Sequence, residues 1–156
     1  MRDRRSAPAV VIDASVALKW QLDDEQHSPQ ALALRDDVLV HERLTAYAPN
    51  LYVYEVLNGI VSAVKRDRLR QSQGEEALRH LFSIEFELRT PPIDRTYAIA
   101  VENGLSAYDS SYVTLAESLG AELWTADRAL YEAVGTALPW VRWIGDYPAR
   151  ADGRDS

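Results

Sequence analysis

Short, unbroken apolar runs alternate with longer stretches of helical periodicity along this chain. Ala9 to Ile12 carries three β-branched residues, fits a strand buried on both faces, and stops at Asp13. The run from Ala14 to Trp20 then starts a helix with Asp13 or Ser15 as its cap. Ser28 and Pro29 give a cap and first-turn signal for a helix over 29–42. Thr45 to Ala48 reads as a second strand, stopped by Pro49. The helix expected over 50–67 has Asn50 as its cap. Its wheel gathers Val53, Val56, Leu57, Ile60 and Val64 on one side and Glu55, Asn58 and Ser62 on the other. A capping box from Ser72 to Glu75 opens a fourth helix reaching Glu87, and Leu88 to Pro91 is a strand kept short by Pro91-Pro92. Asp94 caps a helix that runs through Asn103 and ends at Gly104.

The stretch over 105–127 carries the most information. Residues 107–119 have a helical stripe of Val113, Ala116 and Leu119, widened by Tyr112 and Leu115, with Gly120 at the C-terminal cap. Leu123, Trp124 and Thr125 then suit a short buried strand. A dozen helical residues descend about 18 Å and five strand residues climb back roughly 16 Å. Asp109 and Asp127 therefore return to the same edge, the carboxyl edge where open α/β sheets hold their ligands. Residues 128–134 make a last short helix closed by Gly135, and Trp140 to Ile144 a last strand. Strands alternating with helices predict an α/β sandwich around a mainly parallel sheet.

Length changes little: 156 residues fit one domain, expected over 9–145 between a loose basic leader (1–8) and a mobile tail (146–156). Composition excludes more. No cysteine is present, so thiolate metal sites, disulfides and thiol nucleophiles are ruled out. His27, His41 and His80 show no ligand spacing. No window is apolar for the roughly 18 residues a membrane span needs, and Asp13 interrupts the only run that could follow Arg4 and Arg5 in a signal peptide, so a cytoplasmic protein is expected. The net charge of −7 argues against wide non-specific wrapping of nucleic acid. Lys65, Arg66, Arg68 and Arg70 form a basic cluster whose default role is to complement a helix dipole. A phosphate track, through Lys65 and Arg66, is the second reading.

Taken singly, Asp109 and Asp127 suit helix caps and Glu55 suits a solvated face. Together with Asp13 they put four carboxylates at one edge. A pair 5 Å apart repels by a few kcal/mol at an effective dielectric of about 20, so without a cation some must hold protons. An all-oxygen site lacking Cys and His suits Mg²⁺ or Mn²⁺, and such a site typically binds through a phosphate and activates water.

Asp13 within VVIDAS, Glu55 within YEVLN, Asp109 within LSAYDSSYVTLAESLG and Asp127 within LWTADRAL resemble the four acidic motifs of PIN-domain ribonucleases, in particular VapC-type toxins. The resemblance runs from about Val10 to Ile144. It implies a three-layer α/β/α sandwich with four or five strands and about seven helices. It also implies that Asp13, Glu55 and Asp109 are the main metal ligands and that Asp127 helps hold a second metal or its waters. Ser15 and Asn58 match polar positions beside such a site. The activity implied is Mg²⁺- or Mn²⁺-dependent cleavage of RNA phosphodiesters, with homodimerisation and inhibition by a VapB-type antitoxin whose C-terminal segment covers the cleft.

Two rivals are weaker. A haloacid-dehalogenase-type phosphatase needs a second Asp where Ser15 stands, and a receiver domain needs paired acids after the first strand and a Lys after a late one. A catalytically silent PIN-like assembly module needs no acids, and all four are present. Trp20, Tyr52 and Tyr54 lie near the expected entrance, with packing as their default role and stacking on bases or a partner helix as the alternative.

Overall fold

A computed structural model describes residues 6–22 and 26–149. The acidic loop Asp23-Asp24-Glu25, residues 1–5 of the expected leader and residues 150–156 of the expected tail lie outside the described residues. Five parallel strands form one sheet in the order β3-β2-β1-β4-β5: β1 is Ala9–Ile12, β2 Thr45–Pro49, β3 Glu87–Arg89, β4 Glu122–Thr125 and β5 Val141–Trp143. The helices are α1 (Ala14–Lys19), α2 (Ser28–Leu39), α3 (Tyr52–Lys65), α4 (Gln71–Ser83), α5 (Ile93–Asn103), α6 (Ala107–Leu119) and α7 (Arg128–Val134). Right-handed crossovers place α1–α4 on one face of the sheet and α5–α7 on the other, which makes three layers.

The central strand β1 is covered on both faces, and its Val11 and Ile12 are wholly buried, which is why its sequence is apolar without alternation. From β1 the chain winds outward through β2 to β3, then crosses back over α5 and α6 to β4. Strand order therefore reverses between β1 and β4. The crevice beyond their carboxyl ends is the switch point where α/β sheets place ligands, and Asp13 and Asp127 follow those two strands directly or nearly so.

Several local expectations are corrected. The N-cap of α2 is His27 rather than Ser28, and that of α5 is Pro92, with Asp94 inside the first turn. Asn50 does not cap α3, whose N-cap is Leu51; the Asn50 amide instead donates to Thr90 Oγ1 at 2.8 Å, tying the ends of β2 and β3 together. The fourth helix starts at Gln71 and ends at Ser83, with the Arg70 backbone N–H donating to Gln73 Oε1 at 2.8 Å, so Gln73 takes the role assigned to Glu75. The packed chain also continues past the boundary at 145. Ile144–Asp146 forms a 3₁₀ turn, and Tyr147 is buried with its ring edge-on to Trp124 and its hydroxyl donating to Asp37.

Candidate active site

Asp13 owes its position to the sheet. Its N–H donates to Trp124 O at 3.1 Å, extending the β1–β4 ladder by one residue, and its carbonyl accepts the first bonds of α1 from Val16 (2.9 Å) and Ala17 (3.3 Å). Asp13 is thus the N-cap by backbone, yet its side chain does no capping. Instead Oδ2 accepts from Ser15 Oγ at 2.6 Å and from Thr125 Oγ1 at 2.9 Å. The residue as a whole is 6% exposed. Burial pushes its pKa up to about 7; the two hydroxyl bonds pull against this, and the charges of Glu55 and Asp109 add to it.

The hydroxyls are themselves held. Ser15 Oγ accepts from the Ala126 N–H at 3.0 Å and Thr125 Oγ1 accepts from the Asp127 N–H at 3.0 Å, so the turn after β4 and the start of α1 are laced around Asp13. Ser15 was expected beside the site. Thr125 shows in the sequence only as a strand residue; its position two before Asp127, at a strand's carboxyl end, is the available signal.

Glu55 sits in the first turn of α3, half-buried, and its Oε1 is a buried oxygen with no hydrogen-bond partner. Its pKa is raised, first by burial and then by Asp109 and Asp127. The Tyr112 hydroxyl favours the Glu55 charge without making a hydrogen bond of ordinary geometry, and both groups remain unpartnered. Asp109, in the first turn of α6, is raised by burial and by Asp127, against a bond from Ser106, which also caps the helix by accepting the Asp109 N–H at 3.0 Å. Asp127 does cap α7, accepting the Leu130 N–H on Oδ1 at 3.2 Å. Its capping role and its proximity to Glu55 and Asp109 coexist.

The charges of Glu55 and Asp109 thus bear on Asp13, and that of Asp127 on Glu55 and Asp109, across β1, α3, α6 and the β4–α7 turn. Among the described residues no three acidic or histidine side chains are drawn together tightly enough to grip one ion. The donor set nonetheless fits a hard cation: the oxygens are carboxylate, Glu55 Oε1 lacks a partner, and burial makes Asp13 costly to ionise alone. Asn58, one turn after Glu55, is exposed and lines the same cavity as Glu55 and Asp109. Lys65 and Arg66 are not brought to the site. They lie ten and eleven residues further along α3, roughly 15 Å down the helix at 1.5 Å per residue. Trp20 and Tyr52 are buried, Trp20 donating to Ala31 O at 2.8 Å and Tyr52 stacking on Phe86, whereas Tyr54 is 75% exposed.

The family model described as "PIN domain" matches residues 10–135. The chain belongs to the PIN domain family. It is 35% identical over 131 residues to VapC ribonuclease Mb0985 of Mycobacterium bovis, across 83% of this chain and 94% of that protein. It is 29% identical to Ribonuclease VapC3 of Pyrobaculum aerophilum, across 79% and 92% of the two. The crystal structure of PAE2754 from the same archaeon aligns with a TM-score of 0.64 at 28% identity, covering 88% of this chain and 92% of that one. The PIN match begins in β1 and ends just after α7, so it contains all four acids and both hydroxyls that hold Asp13.

Proposed function

We propose that this PIN-domain protein is a divalent-metal-dependent endoribonuclease, the toxin of a VapBC-type pair. Asp13, Glu55 and Asp109 would hold Mg²⁺ or Mn²⁺, with Asp127 completing the set. The carrying observation is the buried Asp13 carboxylate beside the unpartnered Glu55 oxygen: two groups costly to leave charged and alone, at the switch point of the sheet. A bound cation supplies charge neutralisation at the scissile phosphate and a more acidic water. The protein's part is positioning. Ser15 and Thr125 both bond Oδ2 of Asp13, which fixes the carboxylate plane and leaves Oδ1 for a ligand. The Tyr112 hydroxyl favours the charged form of Glu55, and Asn58 offers an amide at the rim.

The names of the relatives support the ribonuclease reading and imply a VapB-type antitoxin, and a homodimer is expected with it. A mixed pool of structured RNAs incubated with Mg²⁺ or Mn²⁺ tests the activity. Wild type should cut it, while Asp13→Asn, and wild type in EDTA, should not. Cleavage that survives both controls would remove the four acids from the mechanism.

A further inference from the structure

Each of the two acids at the start of a helix is preceded by a tyrosine: Tyr54-Glu55 opens α3 and Tyr108-Asp109 opens α6. Tyr54 is 75% exposed and Tyr108 67% exposed, and neither ring has an aromatic, cationic or side-chain hydrogen-bond partner among the described residues. Single exposed aromatics are ordinary. These two line one open cavity together with Leu51, Glu55, Ser106 and Asp109, so both rings border the acids.

Among the described residues no Lys or Arg lines that cavity, and Lys65 and Arg66 lie at the far end of α3. With a net charge of −7 the protein has little to attract a phosphate backbone here. Beyond the phosphate contact a bound cation would supply, grip at this mouth calls for contacts indifferent to charge. An aromatic face offers one to any unstacked base, whatever its identity. Bases in a duplex are already stacked on each other and cannot use it.

Building on the nuclease reading, we propose that Tyr54 and Tyr108 form a base-stacking clamp that grips unstacked nucleotides of the RNA substrate beside the acids.

The probe is a mixed-sequence 12-nucleotide RNA carrying one 2-aminopurine, titrated with Asp13→Asn protein, which binds without cutting. Binding should quench the fluorescence, and the same strand annealed to its complement should bind at least tenfold more weakly. Tyr54→Leu and Tyr108→Leu, each added to Asp13→Asn, should weaken single-strand binding about tenfold or more and reduce the quench, whereas Tyr→Phe at either position should stay within about twofold, because the ring rather than the hydroxyl makes the contact. Both tyrosines are exposed, so the variants should keep the parent's thermal midpoint. If the Leu variants bind and quench like the parent while wild type cuts RNA, the clamp is wrong and the nuclease reading stands. If wild type neither binds nor cuts any RNA, both fail. If Tyr108→Leu instead shifts the oligomeric state in sedimentation, the ring belongs to a protein contact and the clamp is overturned.

Discussion

The carboxyl group of buried Asp13, raised from 3.8 to about 7, binds its proton more tightly in the folded chain than in the unfolded one. Between roughly pH 4 and pH 7 the folded state therefore holds the extra proton, and stability falls as pH rises through that window. In EDTA the melting temperature should be higher at pH 5 than at pH 8, with Asp13 alone contributing on the order of a few kcal/mol. Glu55 and Asp109, also raised, act in the same direction. Asp13→Asn, which keeps an acceptor for Ser15 and Thr125, should flatten this dependence; identical slopes in the two proteins would remove Asp13 as its source. Thr125→Val tests the other side of the same contact. It takes a donor from Asp13 and an acceptor from the Asp127 N–H in a fully buried place, and should lower stability by about 1–3 kcal/mol at pH 7, with Thr125→Ser restoring most of it. The acids were legible in the sequence because each follows a strand or opens a helix, and topology does the rest. Thr125 and Tyr112 were not, because a buried hydroxyl reads as core until its neighbours are known.

Among elements, the crossing of α1 and α3 sets the relation of Asp13 to Glu55. The contact is close at Gly59, one turn after Glu55, where an added Cβ would lie 2.4 Å from Leu18 Cδ1. Alanine there would gain up to about 1 kcal/mol of helix propensity, yet the displaced Leu18 sits against the core. The net effect of Gly59→Ala should be a loss of about 1–3 kcal/mol, relieved in a Leu18→Ala background, and a double-mutant cycle by denaturant unfolding should show favourable coupling. Additive losses would mean that the helices do not bear on each other there. Element existence was readable throughout, since buried parallel strands leave continuous apolar runs and Gly104, Gly120 and Gly135 punctuate the helix ends. Helix starts were less so. Asn50 and Ser72 have capping chemistry, but Thr90 across the sheet claims Asn50, and Gln73 reaches the Arg70 N–H first. Tyr147 looks like tail in the sequence because its neighbours are polar and turn-forming, while its burial depends on Trp124 and Asp37, far away in sequence.

At the scale of the whole molecule, 24 acidic residues against 17 basic ones mean that any divalent cation relieves some general repulsion, so a rise in melting temperature with Mn²⁺ would not by itself locate a site. Location comes from the residues that abolish the rise. A ligand binding only the folded state at one hundred times its Kd adds about 2.7 kcal/mol, which for a chain of this size is roughly 5–10 °C. Wild type should show a shift of that order, and Asp13→Asn and Asp109→Asn should lose most of it. Glu76→Gln, which removes an exposed charge on α4 far along the chain from the four acids, should keep it. The shift should also be larger at pH 8 than at pH 5, because a proton on Asp13 competes with the cation, and occupancy should cancel much of the destabilisation at high pH seen in EDTA. Equal shifts in wild type, Asp13→Asn and Glu76→Gln would assign the effect to general charge screening and leave the four acids without a metal.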